Sequence, residues 1–190
     1  MPLKALVKVS KISNLSDARY CAGMGVNMLG FRTIPGQEHY MPPEIFQDIR
    51  GWLSGPKIVA ELYGVSSAAE IDFIMLRYAP DYFELTYQEF LSVRKFLSLP
   101  CLVHFPKFAN EAWGDKDSGI LFGVADEDTQ CQEIRTSQQV LVKVKNVNGL
   151  QQKLSEGCFD GFIIEAPKEF RPGITSYDEL GTMLEALDAD

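Results

Sequence analysis

The sequence has few of the residues that build metal sites and cross-links. Its 190 residues include two histidines, and they lack the His-x-x-x-His spacing of a zinc site. Its four cysteines form no Cys-x-x-Cys motif; they are Cys21, Cys101, Cys131 and Cys158. We expect reduced thiols, three of them acting as small apolar residues within or beside apolar runs. The sequence therefore predicts no metal, no other cofactor and a cytoplasmic location.

Positive charge and long apolar runs are scarce as well. The net charge of −8 disfavours nucleic acid and anionic membranes as partners. No apolar run approaches the ~20 residues that cross a bilayer, and the segment Met1–Lys4 lacks the features of a signal peptide. Hydrophobic residues make up 46% of the chain, and no linker interrupts it. We expect a single domain over residues 1–190, present as a monomer or homodimer.

The stretch from Leu6 to Phe31 has the pattern strand, loop, helix, strand. A β-branched apolar run comes first, and either Asn14 or Ser16 can cap the helix that follows. Gly23 and Gly25 fit the end of that helix, because glycine adopts the left-handed conformation without a Cβ clash. Such a unit indicates a parallel sheet, since the helix returns the chain to the same edge.

The same alternation continues to the end of the chain. Strands are predicted to begin near Leu6, Met28, Ile58, Tyr82, Leu102, Ile120, Leu141 and Phe162. Helices are predicted over residues 44–53, 66–78, 87–97, 126–136, 148–155 and 176–187, whereas the polar segment 107–118 favours a weak helix or none. Eight alternations favour a closed barrel, so we expect a compact (βα)8 TIM barrel with short loops.

The first unit resembles the phosphoribosylanthranilate isomerase family of tryptophan biosynthesis. That family begins Lys-Ile-Cys-Gly-Ile-Thr, and this chain has Lys8-Val9-Ser10-Lys11-Ile12-Ser13 at the same place. The family's Asp-Ala helix and Leu-Gly-Phe strand correspond to Asp17-Ala18 and Leu29-Gly30-Phe31. Near the other end, Arg171-Pro172-Gly173 fits the family's Pro-Gly segment. The resemblance covers nearly the whole chain and is most specific in this first unit.

The resemblance implies an Amadori rearrangement of an aminoaldose to an aminoketose, with one base and one acid. The family's base is the cysteine that ends strand one, and Ser10 stands there in this chain. A hydroxyl is much less acidic than a thiol, so the interpretation of Ser10 as a pocket-lining residue is favoured. The family's acid is an aspartate ending strand six. Here Gly123 falls nearest, and Asp126 is either an acid reaching in from the loop or a helix N-cap.

The binding residues implied by the resemblance are changed too. The family's carboxylate-binding arginine is replaced by His39 or its neighbour Glu38, although Arg32 is close enough in sequence to substitute. The family binds phosphate through glycine-rich loops after strands seven and eight. Here the loop after strand eight contains Pro167, which has no N–H to donate. The remaining candidates for an anion are the side chains of Lys143, Lys145, Lys168 and Arg171, although ordinary surface charge is the favoured interpretation.

Charged residues at strand positions form a further group: Lys8, Glu61, Glu84, His104, Lys143 and Glu165. Lys8 should face the same side of its strand as Ser10, because successive side chains alternate. Glu84 replaces a family glutamine that faces the barrel interior, which adds a charge needing a partner. We therefore predict an ion pair between Lys8 and Glu84 within ~4 Å, with Lys143 as the competing cation. The alternative is a polar pocket in which Lys8 binds a ligand and Glu84 acts as an acid beside it.

Two functions remain open from the sequence. One is an isomerase of tryptophan biosynthesis, or a relative that acts on another phosphorylated sugar amine. The other is a barrel without catalysis that binds a metabolite or a partner protein. The joint replacement of base, acid and anion-binding residues favours an isomerase-like protein whose activity is lost or changed. In either case the expected ligand is a small phosphorylated or carboxylate metabolite.

Overall fold

In the computed structural model, eight parallel strands close into one barrel in chain order. The structure describes residues 3–105, 119–134, 138–171 and 174–188. The strands are β1 (Leu6–Ser10), β2 (Met28–Arg32), β3 (Lys57–Glu61), β4 (Tyr82–Thr86), β5 (Cys101–His104), β6 (Ile120–Ala125), β7 (Gln139–Val144) and β8 (Gly161–Glu165). Each begins at most two residues from its predicted start. The predicted (βα)8 TIM barrel is therefore confirmed.

Helices pack around the barrel between most of the strands. They are α1 (Leu15–Gly23), α2 (Pro43–Arg50), α3 (Ala68–Tyr78), α4 (Tyr87–Val93), α5 (Val147–Glu156) and α6 (Asp178–Ala186). A short antiparallel pair, β9 (Glu169–Arg171) and β10 (Ile174–Thr175), precedes α6. Within the described ranges, none of these helices has the length and apolar character needed to cross a membrane.

Side-chain caps fix where two of these helices begin. Asn14 is the cap of α1, and its Oδ1 accepts a hydrogen bond from the Asp17 amide at 2.9 Å. Ser67 and Glu70 form a reciprocal capping box at the start of α3. Each cap satisfies an amide that the first helical turn would otherwise leave without a partner.

The helix predicted over residues 126–136 is wrong for the described part of that segment. β6 extends to Ala125, and the following residues form a loop with one short 3-10 turn, Cys131–Glu133. The stretch Asp126–Gln130 has no apolar residue, so a helix there would have no face to bury. Residues 135–137 lie outside the described residues, as does the segment 107–118 with its predicted weak helix.

The prediction that all four cysteines stay reduced is also wrong. Cys131 and Cys158 form a disulfide across 27 residues of sequence, whereas Cys21 and Cys101 are free and buried. The sequence could not show this pairing, because it arises only when the turn after β6 packs against the end of α5. The apolar role expected for buried cysteine holds for Cys21 and Cys101.

The barrel interior changes character along its axis. Apolar side chains fill the part nearer the strand starts; they are Met28, Val59, Leu102, Phe122, Val124, Leu141 and Ile163. The same alternation places polar side chains toward the strand ends; they include Ser10, Arg32, Glu61, Glu84, His104 and Lys143. A second, larger apolar layer joins the strands to the helices. The apolar layers stabilise the fold, and the polar strand ends are where barrels of this kind place their functional residues.

Gly161 offers a test of how tightly the barrel is packed. A Cβ at this first residue of β8 would lie 2.3 Å from the carbonyl oxygen of Leu6 and 2.8 Å from Leu141 Cδ2. Since backbone cannot move aside cheaply, we expect Gly161→Ala to lower the free energy of unfolding by about 1–3 kcal/mol in urea titrations. Gly23→Ala is the matched control, because nothing lies within 4 Å of a Cβ there. Equal stability of the two variants would contradict this description of the packing.

Candidate functional site

A fully buried lysine lies at the centre of the charged end of the barrel. Lys8 Nζ lies 2.6 Å from Glu61 Oε1 and 2.5 Å from Glu84 Oε2, and it donates to Ser10 Oγ at 2.6 Å. The predicted ion pair between Lys8 and Glu84 is therefore confirmed. The second carboxylate, Glu61, was one of the charged strand positions but was not predicted as a partner of Lys8.

Two neighbouring residues complete this charge cluster. Arg32 Nε lies 3.0 Å from Glu61 Oε2, and its guanidinium lies over the Tyr63 ring at 4.5 Å. The Tyr63 hydroxyl donates to Glu84 at 2.6 Å. We refer to Lys8, Arg32, Glu61, Glu84 and Tyr63 as the charge cluster. Its two cations balance its two carboxylates, which is the condition for keeping ionised groups inside a protein.

Gly30 has no side chain and so leaves space for the charge cluster. A Cβ at this position of β2 would lie 2.1 Å from Glu61 Oε1 and 2.7 Å from Lys8 Nζ. The Leu-Gly-Phe strand that carried the resemblance therefore has a direct physical role in this chain, since any side chain there would displace the ion pair.

Electrostatics keeps Lys8, Glu61 and Tyr63 in fixed protonation states. Burial alone would lower the pKa of Lys8, but the carboxylates of Glu61 and Glu84 outweigh it and raise the pKa above 10.5. Burial would raise the pKa of Glu61, yet Lys8 and then Arg32 hold that pKa below 4.5. Burial and the nearby Glu84 carboxylate raise the pKa of Tyr63 well above 10. At neutral pH the ammonium and the Glu61 carboxylate are charged, and the phenol keeps its proton.

A cavity of about 1300 Å³ opens above the cluster at the strand ends. Five of the residues predicted for the site line it: Ser10, Arg32, Glu84, Asp126 and Lys168. Lys8 lies below them with no exposed surface. Most of the site residues predicted from the sequence therefore lie at the strand ends, where such barrels carry their active sites.

Besides the buried Lys8, which was also a candidate for binding, two of the predicted binding residues are not placed in this cavity. His39 lies in the loop after β2, with Nε2 3.3 Å from Glu38, and it is not among the described residues that line the cavity. The backbone of Arg171 belongs to β9, and its side chain lies outside what the structure describes. Arg32, the last residue of β2, lines the cavity instead.

Asp126 lies closer to the strand end than the sequence indicated. Because β6 runs to Ala125, Asp126 is the next residue, and Gly123 lies inside the strand. Asp126 Oδ1 is 3.0 Å from His104 Nε2 at the end of β5 and 3.7 Å from Lys143 Nζ on β7. Asp126 starts no helix in the described chain, so the N-cap interpretation is wrong, and nearly half of its side chain is exposed beside the cavity.

A carboxylate from the chain itself covers the start of α5. Glu127 Oε1 accepts a hydrogen bond from the Lys145 amide at 3.2 Å. A Cβ on Gly149, in the first turn of α5, would lie 2.0 Å from the same oxygen. Glu127 therefore fills the space that a small anion would need to reach the helix start. Sequence reasoning missed Glu127, because nothing local shows that the β6 loop reaches α5.

The loop after β8 offers few backbone donors. The Ala166 amide donates to the Ser10 carbonyl at 2.9 Å, and Pro167 has no N–H. Lys168 follows and lines the cavity with its neighbours. An anion on this side of the cavity would therefore rely on side chains rather than backbone amides.

Comparisons with known proteins identify the fold. No family model matches the chain, and no curated protein matches it. Phosphoribosyl anthranilate isomerase from Thermus thermophilus is 19% identical, with 96% of this chain and 98% of that chain aligned and a TM-score of 0.74. TrpF from Jonesia denitrificans is 12% identical, with 96% of each chain aligned and a TM-score of 0.75.

A different barrel enzyme is also similar. KGPDC from Streptococcus mutans is 18% identical, with 86% of this chain and 88% of that chain aligned and a TM-score of 0.57. At such identities the likenesses show the shared barrel fold and not a shared reaction.

Replacing the buried lysine tests the charge cluster. Lys8→Met would leave Glu61 and Glu84 buried together, with Arg32 reaching only Glu61. We expect the free energy of unfolding to fall by about 3–5 kcal/mol, as for other buried ion pairs broken from one side. Lys57→Met is the matched control, since Lys57 is exposed and pairs with Asp81 at the barrel surface. A Lys8 variant as stable as the Lys57 variant would contradict the role given to the cluster.

The pH dependence of stability tests the protonation state of Glu61. Its pKa is lower in the folded protein than the ordinary 4.5, so its contribution to stability is complete above pH 4.5 and is lost as the pH falls through the folded value. We expect the unfolding free energy of the wild type to drop more steeply in acid than that of Glu61→Gln. Parallel curves for the two proteins in urea titrations between neutral pH and strong acid would contradict the lowered pKa.

Proposed function

We propose that this chain is a cytoplasmic phosphoribosylanthranilate isomerase-like barrel that binds a small carboxylate-bearing metabolite and no longer performs the isomerisation. The observation that carries the proposal is the contact between Lys8 and Ser10. By the resemblance, Ser10 stands where the family has its base, and the Lys8 ammonium donates a hydrogen bond to the Ser10 hydroxyl. Because the pKa of Lys8 is raised, that amine keeps its proton and cannot accept one from Ser10.

The carboxylate preference rests on Arg32. Its guanidinium faces the cavity and is oriented by Glu61 and by the Tyr63 ring. A planar guanidinium held in this way is suited to a carboxylate. Lys168, in the loop after β8, is one of several lysines that add positive charge to the cavity wall. A phosphate would find fewer backbone N–H donors, because Glu127 occupies the space at the start of α5 and Pro167 has no N–H.

A second candidate function is supported by Asp126 and His104. Their contact at 3.0 Å places an acid and an imidazole together at the edge of the cavity. Such a pair can move a proton to or from a bound sugar. The second candidate is therefore an isomerase that acts on another sugar amine through Asp126.

An assay of phosphoribosylanthranilate consumption tests the main proposal. We expect the anthranilate-derivative fluorescence to decay at the background rate with the purified protein. We also expect Ser10→Cys to remain inactive, because the charge cluster and the altered anion site stay in place. An enzyme-like decay with the wild type would refute the proposal. If Asp126→Asn then abolished that decay while Asp128→Asn did not, the second candidate would replace it.

Phosphate binding tests the role of Glu127. In calorimetric titrations with inorganic phosphate we expect no binding to the wild type and measurable millimolar binding to Glu127→Ala, which frees the Lys145 amide and the space beside the start of α5. Asp128→Ala is the matched control, since it removes one negative charge from the same loop without opening α5. Phosphate binding to the wild type would contradict the proposal, and so would equal gains in the two variants.

A further inference from the structure

Two sulfur atoms and one carboxylate meet on the outer side of the β6 loop. Cys131 lies in the 3-10 turn after β6, Glu156 is the last residue of α5, and Cys158 follows Gly157. Their ligand atoms all lie within 4.8 Å of one another, and each residue is half-buried. Gly157 has a φ of 67°, which ends the helix between Glu156 and Cys158.

We propose that Cys131, Cys158 and Glu156 form a zinc site when the Cys131–Cys158 disulfide is reduced. A dithiol reductant converts the disulfide to two thiols and is itself oxidised to a disulfide. Zinc then binds both sulfurs with release of two protons, and one Glu156 oxygen supplies a third ligand. Thiolates with a carboxylate are a ligand set that zinc accepts, and a water completes the tetrahedron.

Lys153 balances the charge of this site. Its ammonium is buried, donates to the Thr129 carbonyl at 2.9 Å and lies 3.0 Å from Glu156 Oε2. Two thiolates and a carboxylate around zinc leave a net charge of −1, which Lys153 neutralises. The lysine is therefore placed to hold the carboxylate toward the sulfurs in either redox state.

The other two cysteines do not compete for the metal. Burial raises the pKa of Cys21 to about 12 and that of Cys101 to about 12. Both side chains lie in the apolar layer, away from Cys131 and Cys158. Their thiols stay protonated at neutral pH, and a metal ion cannot reach them without unfolding.

The link between Cys131 and Cys158 also fixes the position of one edge of the cavity. The loop from Asp126 to Gln130 lines the cavity and leads directly to Cys131. The disulfide fixes this loop to the end of α5, and zinc bound to the same residues would fix it there as well. The cavity edge would then keep its position under reducing conditions.

Cobalt titration of the reduced protein tests the site, because cobalt bound to thiolates absorbs strongly in the near ultraviolet. The full chain is reduced with dithiothreitol, desalted without oxygen and titrated with Co²⁺ and then Zn²⁺. We expect one cobalt per chain with thiolate absorption, complete displacement by zinc, and no signal from the oxidised protein.

Variants separate this site from other thiols. Cys158→Ser should lose the thiolate absorption, and Glu156→Gln should bind at least roughly tenfold more weakly. Cys21→Ser with Cys101→Ser is the matched control and should bind as the wild type does. Absence of the signal in the reduced wild type would overturn the proposal, as would a signal that persists in Cys158→Ser. Comparing the cobalt–thiolate absorption of the reduced and the oxidised wild type tests the proposal even if a variant fails to fold.

Discussion

The buried ammonium of Lys8 is the constraint on which the rest of the strand-end chemistry depends. A single charge inside the barrel requires opposite charge at contact distance, and Glu61 and Glu84 supply it from two other strands. Two carboxylates exceed one ammonium, so Arg32 completes the balance from β2. Gly30 is then needed to leave space for them. One charge in β1 thus determines the residues acceptable on three neighbouring strands.

The same constraint divides the cavity into two parts. On one side, Ser10 and Glu84 face the cavity but are held by Lys8, so their polar atoms are occupied. On the other side, Asp126 and His104 form a smaller polar group that is partly exposed. The loop that carries Asp126 also presents Glu127 to the start of α5. The polar side chains that stay partly exposed at the cavity are therefore those of Arg32, Asp126 and the lysines at its edge.

Periodicity predicted the barrel and the direction of its interior side chains, because alternation along a strand is a local property. The pairing of Lys8 with Glu84 followed from that alternation. The end of β6 was missed, since nothing in Gly123-Val124-Ala125 distinguishes a last strand residue from a first loop residue. The Cys131–Cys158 bond and the Glu127 contact were missed for another reason. Both join segments far apart in sequence, and only the closed barrel brings them together.

The charge cluster also limits the evolutionary routes open to this chain. Each of its ionised residues is tolerated because the others are present, so a substitution that removes one of them leaves a buried charge without its counterion. A neutral interior would require Lys8 and its carboxylate partners to change together. Single substitutions within the cluster therefore pass through proteins that fold poorly, so its members are expected to change as a group or not at all.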